Sequence, residues 1–192
     1  MSHLPGVAVG FRVLGVDLSL TGTGLADGER TWLLPSKGSA TATLTERWMR
    51  LDALTDAVLA RVRDTRADLV VLEGPSLGQA RQGGQHDRAG LWWLVVDQLH
   101  TDGIPVAEVP PATLKKYATG KGNAGKSAIV DATARRFPHV DTGSGDDNRC
   151  DAHWLAAMGH DHLGLALLAM PALNRQALDA VRWPHLVAAT AA

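Results

Sequence analysis

The chain has 192 residues, of which 45% are hydrophobic and 20% are charged, and its formal net charge at pH 7 is −1. This length and composition predict one soluble domain with a sizeable core, and the near-zero charge means that composition alone gives no sign of a nucleic-acid partner. The single cysteine, Cys150, excludes an internal disulfide and favours a reducing, cytoplasmic location. Neither a signal peptide nor an apolar stretch of membrane-spanning length is expected.

The first predicted strand ends in a lone carboxylate. An apolar run over residues 13–16 leads into Asp17, after which small and hydroxylated residues begin to turn the chain. Residues 22–26 and 31–34 are shorter strand candidates on either side of an Asp-Gly turn pair, so the three segments predict an antiparallel meander. A carboxylate at the end of a buried strand requires a donor or a cation nearby, unless Asp17 only stabilises the turn.

A helix and a second acid-tipped strand follow. Residues 45–65 carry apolar side chains at helical spacing and predict an amphipathic helix that packs on the sheet. Its apolar stripe consists of Trp48, Leu51, Thr55, Val58, Leu59 and Val62. Residues 69–72 form an unbroken apolar run that ends in Glu73 and a Gly-Pro breaker, which predicts a strand. Residues 76–88 are rich in Gly, Gln, Arg and His and predict a mobile loop.

The second half of the chain alternates helices with one strand. Residues 89–101 predict a helix with an apolar face, and its tryptophans, Trp92 and Trp93, are expected in the core rather than on a stacking platform. Residues 104–109 predict a strand. Further helices are predicted over residues 127–137, 147–158 and 174–182.

This order of elements predicts an α/β fold in which helices flank a mixed five-stranded sheet. No internal repeat or linker divides the chain. We therefore expect a single domain over residues 1–192, with a core over about residues 11–160 and a C-terminal helical extension over about residues 161–192.

Charge is segregated along the chain. Residues 111–136 contain six Lys or Arg and one Asp, a net charge of +5, whereas residues 141–161 contain five Asp and one Arg, a net charge of −4. A basic block beside an acidic block suits a polyanionic substrate and a cation that bridges it to the protein, although two solvated faces would give the same pattern.

The acidic block and the two strand ends predict a metal site. Asp17 and Glu73 can lie side by side in the predicted sheet. Asp147, Asn148 and Asp151 are spaced three and four residues apart and share one face of a helix. Three acids that converge cannot all stay ionised without a cation between them. Oxygen ligands favour magnesium or manganese over zinc.

Several of these motifs together resemble one known family. Residues 15–24 read Gly-Val-Asp-Leu-Ser-Leu-Thr-Gly-Thr-Gly, and Glu73 ends the fourth strand. Lys115 and Lys126 stand eleven residues apart, with Gly120 and Gly122 between them. The late helix contributes Asp151-Ala152 and Leu155-Ala156. From about residue 13 to residue 159, the chain resembles the RuvC family of Holliday junction resolvases, within the RNase H-like nucleases.

The resemblance implies an RNase H-like fold and an endodeoxyribonuclease that resolves four-way DNA junctions by paired nicks. Its products would carry 5′-phosphate and 3′-hydroxyl ends, and the context would be recombination, repair or phage DNA processing. It implies two Mg²⁺ ions per site, with Mn²⁺ as an alternative, held by Asp17, Glu73 and Asp151, and a homodimer acting on branched DNA. Lys126 would face the developing charge on the phosphate. The expected DNA contacts are Lys115, Lys116, Lys121, Lys126, Arg81 and Arg88.

The chain departs from the family pattern in two places. Three residues before Asp151 the family usually has an acid or a histidine, whereas this chain has Asn148, with Asp147 one residue away, so either could be the fourth ligand. Just after the fourth-strand glutamate the family has an aromatic residue that can wedge into the junction. Here residues 74–77 are Gly-Pro-Ser-Leu, which makes relaxed specificity toward other branched DNA plausible.

Two other functions are compatible with parts of the sequence. Residues 120–127 match G-x-x-x-x-G-K-[ST], the phosphate loop of ATPases, but no buried apolar strand leads into Gly120. A non-catalytic module that binds branched DNA is the second alternative, and the retention of all three principal acids argues against it.

Overall fold

Five strands form one sheet in the order β3-β2-β1-β4-β5. The computed structural model describes residues 10–75, 84–143 and 145–186. The strands are β1 Val13–Asp17, β2 Gly22–Ala26, β3 Thr31–Pro35, β4 Leu69–Glu73 and β5 Val106–Val109. β1 pairs antiparallel with β2 and parallel with β4, and β5 continues the parallel half. The predicted mixed five-stranded α/β sheet is confirmed.

The strand register brings the two acid-tipped strands together. Val16 pairs with Leu72 in the parallel β1–β4 ladder, so Asp17 and Glu73 follow at the same edge of the sheet. Both strands are apolar on both faces because helices cover each side.

Two helical layers enclose the sheet. The helices are α1 Leu44–Thr65, α2 Gln85–Thr101, α3 Pro111–Thr119, α4 Lys126–Arg136, α5 Asp147–His162 and α6 Ala172–Arg175, with a 3₁₀ helix over Gln176–Ala180. α1 and α2 pack on the face that carries Leu14, Val70 and Leu72. α3, α4 and α5 pack on the opposite face, around Trp154. No helix in the described ranges is long and apolar enough to cross a membrane.

Glycines in β1 and β2 let α5 lie directly on the sheet. A Cβ atom at Gly15 would fall 2.0 Å from the carbonyl oxygen of Ala152, and one at Gly24 would fall 2.0 Å from that of Asn148. Only glycine permits this approach, because any side chain there would overlap the helix backbone. The first turns of α5, including Asp151, are thereby held against the end of β1.

The structure corrects the prediction on the α1 and α2 side. α2 begins at Gln85, so the predicted mobile loop is wrong for residues 85–88, and residues 76–83 lie outside the described residues. Trp48 and Trp93 are 56% and 64% exposed, so their expected place in the core is also wrong. The first buried member of the α1 stripe is Thr55, and Leu54, which the predicted stripe did not include, is buried beside it.

Three further differences concern the other face. α3 was not predicted, yet it begins with a proline at its first turn and buries Leu114, Tyr117 and Ala118 at helical spacing. α5 continues to His162 rather than ending at Met158. The predicted last helix is split into α6 and the 3₁₀ helix.

The segment after α5 is tied to α3 by buried polar contacts. The Tyr117 hydroxyl donates to Asp161 at 2.9 Å, and Arg175 donates to the same carboxylate. Asn174 donates its side-chain N–H to the carbonyl oxygen of Tyr117 at 2.7 Å. These contacts fix α3 against the C-terminal residues.

Candidate active site

Asp17 and Glu73 form a carboxyl pair at the common edge of β1 and β4. The two side chains share a hydrogen bond, and Asp17 is only 7% exposed. Burial, followed by the charge of Glu73, raises the pKa of Asp17 well above its usual range. Burial and then repulsion from Asp151 raise the pKa of Glu73 to about 7. Two carboxyls this close cannot both ionise without a compensating cation.

Asp151 brings a third carboxyl to this pair from α5. Asp146 caps the start of this helix, and its side chain accepts a hydrogen bond from the Arg149 backbone N–H at 3.0 Å. Burial and then the charges of Asp17 and Asp147 raise the pKa of Asp151 to about 8. Its Oδ1 atom is buried and has no hydrogen-bond partner among the described residues.

The two candidates for a fourth ligand have different surroundings. Asn148 donates its side-chain N–H to the carbonyl oxygen of Gly22 at 2.6 Å, which links α5 to β2. Asp147 forms an ion pair with Lys126, and its charge acts on both Asp17 and Asp151. Asp147 therefore acts electrostatically on the carboxyl cluster, which consists of Asp17, Glu73 and Asp151, whereas the amide nitrogen of Asn148 is used in a hydrogen bond to the backbone of β2.

Two of the predicted lysines face the carboxyl groups. Lys126 is the first residue of α4, and Lys115 lies on α3. The positive charges of both lower the pKa of Glu73 and of Asp151, against the larger effect of burial. The hydrogen bond to Asp147 raises the pKa of Lys126 itself. The sheet edge thus combines buried acids with two adjacent cations.

The other predicted DNA contacts are more dispersed. Lys116 follows Lys115 on α3, and Lys121 is exposed in the turn after that helix. Arg88 lies in the first turn of α2. Arg81 lies outside the described residues.

The carboxylate oxygens of Asp17, Glu73 and Asp151 are the kind of ligand that a hard divalent cation prefers. Within the described ranges, no group of three or more His, Cys, Asp or Glu side chains is already arranged to hold a metal ion. Asp17 and Glu73 instead bond to each other, the charge of Asp151 acts on Glu73, and the charge of Asp17 acts on Asp151. A bound cation would coordinate the Asp151 Oδ1 atom, which has no hydrogen-bond partner among the described residues. It would also favour the ionised form of the three carboxyl groups and so lower their raised pKa values.

One contact at this edge had no signal in the sequence. The Trp92 indole N–H donates to the carbonyl oxygen of Glu73 at 3.1 Å. Its ring meets that of Trp93 edge to face, with 4.9 Å between centroids. The spacing of the α2 tryptophans indicated burial and not a bond to the end of β4.

The structure also bears on the phosphate-loop pattern over residues 120–127. The element that runs into Gly120 is helix α3, and Lys126 begins α4. A phosphate loop requires a buried strand before its first glycine. That context is absent from this described segment, and Lys126 faces the carboxyl cluster instead.

Comparison with known proteins finds similarity of structure. No sequence profile of a known protein family matches the chain, and no curated protein matches it at a significant level. Thermus thermophilus RuvC is 18% identical, with a TM-score of 0.57 over 81% of this chain and 98% of that chain. The same organism's RuvC in complex with a Holliday junction substrate is 20% identical, with a TM-score of 0.58 and the same coverage. The yeast mitochondrial Holliday junction resolvase Ydc2 is 10% identical, with a TM-score of 0.49 over 92% of this chain and 83% of that chain.

These likenesses agree with the resemblance suggested by the motifs. The chain is similar to RuvC over most of its length, and its mixed five-stranded sheet flanked by helices is an RNase H-like fold.

Proposed function

We propose that the protein is a metal-dependent, structure-selective endodeoxyribonuclease that resolves four-way DNA junctions by paired nicks. The observation that carries this proposal is the cluster of Asp17, Glu73 and Asp151 at one sheet edge, with Lys115 and Lys126 beside it. Hydrolysis of a phosphodiester requires both a means of activating water and positive charge to stabilise the transition state. The cluster is suited to both.

Asp17, Glu73 and Asp151 would hold two divalent cations, Mg²⁺ or Mn²⁺, with Asp147 or Asn148 as a further ligand. Bound cations of this kind would activate the attacking water and stabilise the leaving oxygen. Ionisation of the carboxyl groups prepares the site, because a protonated acid cannot ligate a metal. Of the two further candidates, Asp147 has the stronger support, since its charge acts on both Asp17 and Asp151.

The lysines have separate roles in this proposal. Lys126 would move from Asp147 to the phosphate and stabilise its developing negative charge. Lys115, Lys116 and Lys121 would hold the DNA backbone, with Arg81 and Arg88 as further contacts. Because these contacts neutralise phosphates, junction binding should weaken steeply as salt concentration rises.

Branched DNA and a homodimer complete the proposal. The similar Thermus thermophilus RuvC has been solved with a Holliday junction substrate, which supports a four-way junction as the substrate here. A two-fold symmetric dimer would match the symmetry of the junction and cut two strands in pairs. We also propose that the chain is one nuclease domain with a C-terminal extension, that it acts in the cytoplasm, and that its products carry 5′-phosphate and 3′-hydroxyl ends.

The test is cleavage of a labelled immobile four-way junction, with flap and linear duplex controls, in Mg²⁺, in Mn²⁺ and in EDTA. Wild-type protein is compared with Asp17→Asn and with Asp52→Asn, which changes an exposed acid on α1. We expect paired, metal-dependent nicks from wild type and Asp52→Asn and a loss of at least roughly 1,000-fold in Asp17→Asn.

The other outcomes separate the parts of the proposal. Equal cutting of flaps and junctions would support the proposed nuclease activity and contradict the proposed junction specificity. An absence of metal-dependent cutting by folded protein on every substrate would overturn the enzymatic proposal.

A further inference from the structure

The end of α5 and the segment after it hold α3 through buried polar contacts. We call the three residues that make them, Asp161, Asn174 and Arg175, the C-terminal tether. Asp161 is 3% exposed and accepts a hydrogen bond from the Tyr117 hydroxyl at 2.9 Å. Arg175 donates to both oxygens of that carboxylate at 3.1 Å. Asn174 donates to the carbonyl oxygen of Tyr117 at 2.7 Å. The tether therefore holds Tyr117 at its ring and at its backbone.

The segment that carries the tether is itself fixed to α5 at its far end. The ring of Trp183 stacks on that of His162, with 4.2 Å between the centroids and 7° between the planes. The Trp183 indole N–H donates to the carbonyl oxygen of Leu178 at 3.1 Å. The chain thus leaves α5 after His162 and returns to it at Trp183, which leaves Asn174 and Arg175 little freedom to move.

Lys115 lies on the side of α3 opposite to the residue that the tether holds. Lys115 and Tyr117 are two positions apart, so their side chains leave the helix in directions about 200° apart. Tyr117 reaches Asp161, which follows Asp151 by about 15 Å along α5. Lys115 instead acts through its charge on Glu73 and Asp151. Any rotation or shift of α3 that the tether prevents would therefore move this lysine away from the carboxyl cluster.

The tether restricts orientation more than it adds stability. Burial of the Asp161 carboxylate with its Arg175 partner gains little net free energy, because desolvation offsets the attraction. Hydrogen bonds require narrow ranges of distance and angle, so two of them on Tyr117 limit both the rotation and the translation of α3. The remaining contact of this ring, edge to face on Trp154 with centroids 5.9 Å apart, is apolar and less directional.

We propose that the C-terminal tether positions Lys115 to bind the DNA backbone beside the cleaved phosphodiester. This inference rests on the proposed nuclease function and adds positioning residues to it. A lysine contributes to DNA binding only where a phosphate lies within hydrogen-bond distance, so a small displacement of α3 removes the contact. The tether acts through α3 and not by contact with DNA.

The test is a double-mutant cycle that combines loss of the tether with loss of Lys115. The tether variant, Tyr117→Phe with Asn174→Ala, removes the two hydrogen bonds that hold Tyr117. It leaves Asp161 paired with Arg175, so no buried charge loses its partner. Lys115→Gln removes the positive charge and keeps most of the side chain.

Val58→Ala is the control for a loss of stability as such. Val58 is buried on α1, on the face of the sheet opposite to α3. Binding of each variant to the four-way junction is measured in the Asp17→Asn background over a range of salt concentrations, and cleavage is measured with Asp17 intact. Amide hydrogen exchange of the DNA-free protein reports whether α3 has loosened, and thermal melts check folding.

We expect the tether variant and Lys115→Gln each to weaken junction binding by roughly 10-fold. Each should also lower the slope of log affinity against log salt by about 1, as for one lost phosphate contact. The combined variant should bind no more weakly than Lys115→Gln, because both changes remove the same contact. Exchange should quicken in α3 and not in β1 or β4, KM should rise more than kcat falls, and Val58→Ala should bind like wild type.

Three results would overturn the inference and leave the proposed function intact. Additive losses in the cycle would show that the tether does not act through Lys115. Wild-type affinity in the tether variant would show that the tether has no role in DNA binding. An equal loss of affinity in Val58→Ala would assign the effect to general destabilisation. A wild-type protein that bound no branched DNA would instead overturn the proposed function, and this inference with it.

Discussion

At the scale of single residues, the carboxyl cluster places negative charge where burial disfavours it. Asp17, Glu73 and Asp151 all have raised pKa values, and burial is the largest cause for each. Structures retain such arrangements at functional sites because a ligand compensates for them. Without a cation, the cluster should destabilise the fold at pH values where the acids ionise.

Asp151→Asn should therefore stabilise metal-free protein at high pH. The pKa of Asp151 is about 8 in the folded state and about 3.8 in the unfolded chain. Since the folded state prefers the protonated form, the contribution of Asp151 to stability is highest below pH 3.8 and is lost as the pH rises from 3.8 through 8. Thermal melts in EDTA should show a higher Tm for the variant at pH 9, by roughly 2–4 °C for each kcal/mol of repulsion removed.

The pH dependence of that difference is the critical observation. The gain should be much smaller at pH 5, and the exposed control Asp52→Asn should show no such trend. A gain that is equal at pH 5 and pH 9 would contradict the ionisation argument. Loss of junction cleavage in Asp151→Asn, despite the higher Tm, would separate the catalytic role of this acid from its effect on stability.

At the scale of elements, the position of α5 decides where Asp151 lies. The helix lies against β1 and β2 because Gly15 and Gly24 have no side chain to separate them. Asn148 reinforces this contact through its bond to Gly22. The geometry of the site thus depends on glycines that have no chemical role.

Gly24→Ala should displace the start of α5. Its Cβ would fall 2.0 Å from the backbone oxygen of Asn148, and a backbone atom cannot move aside as a flexible side chain can. We expect a loss of roughly 1–3 kcal/mol in the free energy of unfolding, measured with urea. Junction cleavage should fall even where the variant remains folded, because Asp151 follows the helix.

Gly125→Ala is the control for a glycine substitution as such. A Cβ at Gly125 meets no heavy atom within 4 Å in the structure, and its φ of −78° suits any residue. Its free energy of unfolding should change by less than about 0.5 kcal/mol. Equal losses in the two variants would show that close packing of α5 is not the cause.

At the scale of the whole molecule, a buried histidine couples the core to pH. His153 is fully buried on α5, and neither ring nitrogen has a hydrogen-bond partner among the described residues. Its ring packs edge to face on Phe137, with centroids 4.2 Å apart. The charged or titratable groups that act on it are His139, Asp27 and His160, and burial lowers its pKa to about 4.

By itself, His153 should therefore make the folded protein less stable as the pH falls, which is opposite in sign to the effect of the metal-free carboxyl cluster. The folded state holds His153 neutral, whereas the unfolded chain takes up a proton near pH 6.5. This contribution is complete above pH 6.5 and is lost as the pH falls from 6.5 through 4, to a limit on the order of 3 kcal/mol. Between pH 7 and pH 5, the urea unfolding free energy of His153→Leu should therefore fall less, or rise more, than that of wild type.

His100→Leu is the matched control, because His100 lies on α2 and is exposed. Its unfolding free energy should follow the pH dependence of wild type. A pH slope in His153→Leu equal to that of wild type would show that His153 does not contribute to the pH dependence of stability.

Local periodicity was sufficient to predict the framework of this protein. The apolar runs before Asp17 and Glu73 predicted two strands that are present, and the order of elements predicted the mixed five-stranded sheet. These signals are local, because a strand that is buried on both faces must be apolar along its whole length. The motifs also predicted that Asp17, Glu73, Asp151, Lys115 and Lys126 would come together, and the electrostatic interactions among them are consistent with that prediction.

Tertiary structure decided the features that depend on what each element packs against. Apolar residues at helical spacing do not indicate how far along a helix the buried part extends. Trp48 and Trp93 were therefore predicted to pack inward, whereas both are exposed. Helical spacing placed Asp147 and Asn148 on one face, but packing against β2 gave Asn148 a backbone contact and left Asp147 with Lys126. The bond from Trp92 to Glu73 joins residues 19 positions apart. Such contacts form only when α2 lies across the end of β4, because sequence spacing specifies a face and not the partner that this face meets.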